Sequence, residues 1–356
     1  NKALSIIMTA FHAAVYIWGG VFGTLGPDIA LIVFLQLFAA GFLLILLDEM
    51  VQKGWGLGSG ISLFIAAGVS QRIFWSCFSP LQAEGGYIGV FPALFSTIAA
   101  GGDLSSVWYR ERLPSLLGLV TTIAVFLLLI YLEGVRVELP LAHARFRGFR
   151  ARFPVKLLYV SNIPVIFAAA LFANIYFFGQ LIWSRYNPNN NNFWLNVIAQ
   201  FESGEHGYEP VGGLVYYLSA PRTLSDVSAD PLRSAIYGIV FVAVCVAFAK
   251  TWLEVGGQDP RTVAKQLVDA GMVIPGFRRS EYVLEMRLRR YIPTVTILGG
   301  FIVGVIAVVA DWLGCFGTGM GILLTVGILY QYYQIILQER IADMYPSIAR
   351  FLGLKR

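Results

Sequence analysis

Closely spaced glycines let backbone amides approach an anion, so the run Gly54-Trp-Gly-Leu-Gly-Ser-Gly60 is the first place to look for phosphate chemistry. The run lacks the Lys-Ser/Thr of a phosphate-binding loop and follows an apolar segment rather than a strand. It therefore reads as a tight turn whose last residues begin a helix. The histidines His12, His143 and His206 are scattered, no His-Glu-x-x-His pattern occurs, and no Ser/His/Asp or Cys/His set assembles from nearby segments. Cys77, Cys245 and Cys315 are odd in number and far apart, without metal or redox spacing, and read as packing residues. Asp48, Glu49, Glu133 and Asp311 lie near the ends of apolar segments, where charge costs less than at mid-membrane. An ion pump would want carboxylates in mid-span. The sequence thus predicts no catalytic residues, no metal site and no cofactor.

Two polar residues do fall inside apolar segments: His12, and Asn174 in a segment that opens with Ser161, Asn162 and Pro164. Such groups face protein or water rather than lipid, or hydrogen-bond a neighbouring helix. Ile61 and Ile65 share a helix face by their i, i+4 spacing. That face could pack, meet lipid or line a passage, and residue types alone leave the three readings open.

The elements that must carry these residues are membrane helices. The 356 residues are 57% hydrophobic and 13% charged, too few charges to coat a water-soluble surface. Apolar stretches long enough to cross about 30 Å of hydrocarbon recur at roughly 3–23, 29–48, 60–78, 115–133, 157–182, 233–253, 294–313 and 319–338. These eight spans put both termini on one side. Sorting by loop places twenty Lys and Arg on that side and six on the other, so the positive-inside rule predicts cytoplasmic termini. The segments 79–112 and 183–231, the second with an Asn-rich run from Asn187 to Asn192, read as solvated loops on the far side. The segments 134–156 and 254–293 are basic cytoplasmic loops. Within the second, Asp259 and Pro260 fit the cap and first turn of a short helix with Val263, Ala264, Leu267 and Val268 on one face, ended by Gly271. Ser280 is placed to cap a second short helix, with Pro293 marking where the next span starts.

The stretch Leu47-Asp-Glu-Met-Val-Gln-Lys-Gly-Trp-Gly-Leu-Gly-Ser-Gly-Ile-Ser-Leu-Phe-Ile-Ala-Ala-Gly68 resembles the fourth-to-fifth helix region of the SecY family, in its archaeal and eukaryotic branch. The resemblance recurs at Tyr159-Val-Ser-Asn-Ile-Pro-Val-Ile166, Gly276-Phe-Arg-Arg-Ser-Glu281, Arg290-Tyr-Ile-Pro293 and Gly319-Met-Gly-Ile-Leu-Leu-Thr-Val326, in family order. It implies an all-α polytopic membrane protein, a SecY-type helical bundle with about eight of the family's ten transmembrane helices. The chain would start at the third, without the first two helices and the plug between them.

The resemblance also implies site residues. The family's apolar constriction falls on Ile61, Ile65, Ile166 and Leu324. Its lateral-gate cluster falls on Asn174 and on His12, where the family usually has Glu or Gln, so that a titratable imidazole would stand in the gate. Its ribosome contacts fall on Arg147, Arg278 and Arg279, suited to phosphate. The implied organisation is 1–133 as the remainder of the N-terminal half, 134–156 a basic loop, 157–253 the gate helix and the helix after it, 254–293 the long basic loop, 294–338 the last two helices, and 339–356 a cytoplasmic tail. The implied function is a passive conduit in the archaeal plasma membrane or the endoplasmic reticulum membrane. It would pass unfolded polypeptides and release transmembrane segments into lipid. The implied partners are a small SecE-type subunit, a small SecG/Secβ-type subunit, the ribosome, nascent polypeptide and membrane lipid. Two rival readings are a secondary transporter of a small solute, which would need a mid-membrane substrate site, and an intramembrane enzyme, which would need paired catalytic residues within spans.

Overall fold

The computed structural model describes residues 2–19, 22, 25–55, 59–83, 86–110, 113–143, 150–160, 163–204, 207–221, 223–274 and 280–344. In chain order the elements begin with α1 (Lys2–Trp18), α2 (Pro27–Met50), a π-helical turn (Val51–Trp55) and α3 (Gly60–Phe78). The strands β1 (Gln82–Ala83) and β2 (Gly86–Tyr87) lead to α4 (Val90–Ala99), α5 (Ser105–Trp108) and α6 (Leu116–Gly134). The hairpin β3 (Arg136–His143) and β4 (Arg150–Lys156) precedes α7 (Ile163–Tyr186), α8 (Phe193–Ile198), β5 (Gln200–Gly204), β6 (Gly207–Gly212) and α9 (Gly213–Tyr217). The chain continues through α10 (Leu224–Ala229), α11 (Pro231–Val255), α12 (Pro260–Asp269), β7 (Met272–Val273), α13 (Glu281–Trp312) and α14 (Gly319–Met344). Among the described residues seven helices are long and apolar enough to cross a membrane. The helix α1, with 17 residues, is shorter, about 25 Å at 1.5 Å per residue.

The chain divides into two compact units. One comprises Asn1–Ala67, Phe172–Ser219 and Gln331–Arg356, the other Gly68–Leu171 and Ala220–Tyr330. In the first unit the segment read from sequence as a solvated Asn-rich loop is a small folded element. Trp183, Ala199, Phe201 and Val215 form a buried cluster beneath the antiparallel β5–β6 hairpin. Trp183 Nε1 donates to Asn190 Oδ1 (2.8 Å), Asn187 Nδ2 to Asn196 Oδ1 (2.6 Å), and Asn190 Nδ2 to the Phe201 carbonyl (3.1 Å). Asparagine suits this knot because its short amide both donates and accepts, and because it tolerates the left-handed backbone that Asn190 adopts at φ 55°.

In the second unit the two basic segments are not separate loops. β3 and β4 pair antiparallel from Arg136↔Lys156 to Ala142↔Arg150, and β7 adds to β3 at Ala142↔Val273 and His143↔Met272, giving sheet order β4-β3-β7. Leu141, Val155, Leu253, Val263, Ala264, Leu284, Leu288 and Ile292 close one core between this sheet, α12 and the facing ends of α11 and α13. The short helix falls where its sequence signals place it. The Asp259 carboxylate accepts from Thr262 N (3.1 Å), Val263 and Ala264 are buried, and Gly271 leaves at φ 79°, a conformation costly for any side chain with a Cβ.

The expectation of a second short helix ending before Pro293 is corrected. From Glu281 to Trp312 the chain is one helix with Pro293 inside it, and Ser280 makes no side-chain cap. Proline costs the Arg289 carbonyl its helical donor, but apolar burial of Leu284, Leu288 and Ile292 along one face, continued at Val303, holds the helix together across that gap.

Candidate functional site

Ile61 and Ile65 occupy the first turns of α3, and the start of that helix is fixed by residues outside it. Asp48 Oδ1 accepts from Ile61 N (3.0 Å) and Ser59 Oγ (3.1 Å), while its Oδ2 accepts from Gln52 Nε2 (2.7 Å). Tyr332 Oη donates to the Ser59 carbonyl (2.9 Å), so α14 grips the same turn. A Cβ on Gly60 would lie 2.9 Å from Asp48 Cα, and only glycine permits that approach. Nothing in the sequence of Asp48 singled it out beyond its position at a helix end before a glycine run. A carboxylate capping a helix across eleven or more residues has no local spacing signal.

Ile61, Ile65 and Ile166 are about two-fifths exposed, and Leu324 is 9% exposed within α14. Ile61 and Ile65 belong to the first unit, Ile166 and Leu324 to the second. All four are apolar and none presents a hydrogen-bonding side chain, as a sequence-indifferent passage requires.

The helices bearing His12 and Asn174 meet in the first unit. Tyr16 and Phe177 pack with their rings tilted by 49° and 4.9 Å between centroids, one turn beyond each residue, and Ser184 Oγ donates to the Gly19 carbonyl (3.3 Å). His12 Nδ1 donates to the Met8 carbonyl one turn back (2.8 Å), which leaves Nε2 as the nitrogen turned toward other partners. The imidazole is therefore anchored by its own helix, an arrangement that residue type could not reveal.

Arg147, Arg278 and Arg279 lie outside the described residues, but the scaffold they spring from is described. Arg152 donates to Glu138 across the hairpin (2.7 Å), with Arg136 on the other carboxylate oxygen (3.4 Å). The Arg152 hydrogen bond, with the charges of Arg152 and Arg136, holds the Glu138 carboxyl below its ordinary range. Among the described residues no group of three or more His, Cys, Asp or Glu converges as a metal site would require. Burial pushes the Cys315 thiol up, away from the reactive thiolate.

Long apolar helices and a basic folded module at the facing ends of α11 and α13 define a multi-span membrane protein. Residues 1–333 match the model of the SecY family, and the chain belongs to that family. The fold agrees with solved channels. A SecY protein whose plug domain stabilises the closed translocation channel is 40% identical, with a TM-score of 0.79 over 98% of this chain and 75% of that one. Sec61 from the canine ribosome–channel complex of the endoplasmic reticulum is also 40% identical, with a TM-score of 0.75 over 98% of this chain and 74% of that one. The yeast Ssh1 complex bound to the yeast 80S ribosome is 22% identical, with a TM-score of 0.74 over 94% of this chain and 71% of that one, a likeness of fold. The family comprises protein-conducting channels and not enzymes, so the chain is a pore-forming channel subunit.

Proposed function

We propose that this chain is the central subunit of a Sec-type translocon that passes unfolded polypeptides across the membrane and releases hydrophobic segments sideways into lipid. The observation that carries the reading is the family match across residues 1–333. Ile61, Ile65, Ile166 and Leu324 form the constriction, an apolar ring that excludes ions by dewetting while making no side-chain-specific demand on a passing chain. His12 and Asn174 stand at the lateral gate. The contact of Tyr16 with Phe177 supports that reading, because it joins the two helices that would part.

Arg147, Arg278 and Arg279 dock ribosomal RNA from a rigid base, the β4-β3-β7 sheet with α12, and the ribosome is accordingly the partner that drives transport. Sec61 from the canine complex is ribosome-bound, which favours this partner. A small SecE-type subunit and a SecG/Secβ-type subunit complete the complex. Both chain ends face the cytoplasm of an archaeal cell or of a cell whose endoplasmic reticulum holds the channel. The segment organisation follows the family boundaries, from the N-terminal half at 1–133 to the tail at 339–356. Reconstitution of the assembled complex in liposomes tests the whole: ribosome-dependent uptake of a preprotein is expected, and gradient-driven uptake of a small solute in its place would restore the transporter reading.

A further inference from the structure

Within the second unit, the ends of α11 and α13 and the start of α12 line a half-open cavity of about 280 Å³. Six charged residues surround it: Lys250, Glu254, Asp259, Arg261, Glu285 and Arg289. Lys250 with Glu254 and Glu285 with Arg289 have the i, i+4 spacing at which helix residues ordinarily pair. None of the three cations is ion-paired with any of the three carboxylates. Asp259 is engaged in capping α12. Glu254, Glu285 and all three cations are left to turn toward whatever fills the space.

Two further polar groups line the same cavity. Thr296 is 2% exposed and its hydroxyl has no hydrogen-bond partner, although a threonine in a helix can normally bond the carbonyl one turn back. Pro293, also in the lining, has no N–H to offer the carbonyl of Arg289. A buried hydroxyl left unpaired costs free energy that a ligand would recover. The remaining lining is apolar, including Leu253 and Ile297. From Ile297 an exposed stripe continues along α13 through Phe301 to Val309. At 1.5 Å per residue the rise from Ile297 to Val309 is about 18 Å, most of the length of an acyl chain.

We propose that this cavity binds the headgroup of a membrane phospholipid carrying both a phosphate and a primary ammonium, with one acyl chain lying along Ile297, Phe301 and Val309. Lys250, Arg261 and Arg289 take the phosphate, the guanidinium forks matching its oxygens. Glu254, Glu285 and the Arg289 carbonyl accept from the ammonium, and Thr296 donates to the ester oxygens. A headgroup with only negative charge would leave the two glutamates unpaired beside it. A quaternary ammonium has no N–H for the carbonyl. The apolar stripe favours a lipid over a free anion, which would have no use for it. This assignment stands independently of the translocation reading, since either can fail without the other.

The test is native mass spectrometry on the purified full-length complex after equilibration with equal amounts of phosphatidylethanolamine, phosphatidylserine, phosphatidylcholine and phosphatidylglycerol. The first two are expected to be retained on the order of tenfold over the others, the ratio for one charge-assisted hydrogen bond. The pair Lys250→Gln and Arg289→Gln is expected to lose all four. The pair Glu254→Gln and Glu285→Gln is expected to abolish the preference, so that phosphatidylglycerol is held as well as phosphatidylethanolamine. Equal retention of the four lipids by the parent protein, which needs no variant to fold, overturns the proposal. So does displacement of the lipid by inorganic phosphate alone, which would mark a free-anion site, or capture of a protein in place of lipid by a photo-crosslinker at position 297.

Discussion

Asp48 caps the helix that carries Ile61 from across a glycine turn, its Oδ1 accepting the Ile61 amide at 3.0 Å. The start of α3, which carries Ile61 and Ile65, is thus set by a carboxylate on the preceding helix. Asp48→Ala is expected to lower stability by about 1 kcal/mol, the usual loss of a helix cap, and Asp48→Asn to recover most of it. Thermal unfolding in detergent reads both. Gly60→Ala should do worse, because its Cβ meets the Asp48 backbone at 2.9 Å. A wild-type melting temperature in Asp48→Ala would show that the cap does not position α3.

The constriction itself is tested by conductance. With Ile65 and Ile166 both changed to Ser, the assembled channel is expected to leak ions at rest, since a wider and wetter ring no longer excludes them. Isoleucines that merely pack would give lost stability, up to about 2–5 kcal/mol for a large core truncation, without new current. Single-channel recording in bilayers separates the two outcomes, and an ion-tight folded double variant would move the pore to other residues.

Ribosome docking is tested by charge reversal. Arg278→Glu is expected to weaken ribosome binding at low salt while insertion and folding persist, and the deficit should shrink as salt screens the contact. Co-sedimentation across a salt series measures it. Equal binding at low salt would leave Arg278 with a role in topology alone.

Tyr159 supplies a pH prediction for the basic module. Burial, with the Asp259 charge nearby, pushes its phenol up to about 12, while an unfolded tyrosine titrates near 10. The folded state therefore holds the proton more tightly. This contribution to stability is complete below about pH 10 and lost as the pH rises from there through about 12. Alkaline unfolding curves should show that loss in the parent and a smaller one in Tyr159→Phe; identical curves would put the titration elsewhere.

A small membrane subunit is expected to co-purify with the full-length channel subunit in mild detergent. Size-exclusion chromatography followed by mass spectrometry of the small bands checks this. A stable subunit that transports preprotein with no such partner would contradict it.

The membrane class was legible in the sequence because it depends only on local quantities. Twenty or so apolar residues must cross hydrocarbon wherever they sit, and 60–78 was read with the same bounds that α3 has. The Asp259 cap and the Gly271 stop were legible for the same reason, since both act within one turn. The family came from long motifs in order, not from physics of single residues.

Only the tertiary structure decided which distant groups meet. The pairing of β3 with β7 joins segments more than a hundred residues apart and turns two basic loops into one module, and no periodicity announces a two-residue strand. Pro293 misled because its local preference ends a helix, whereas burial along the face of α13 outweighed the one lost hydrogen bond. The Asn187–Asn192 knot and the remote cap at Asp48 have a common cause. Each is a long-range hydrogen-bonding arrangement, and a sequence states which groups can pair but not which are brought within 3 Å.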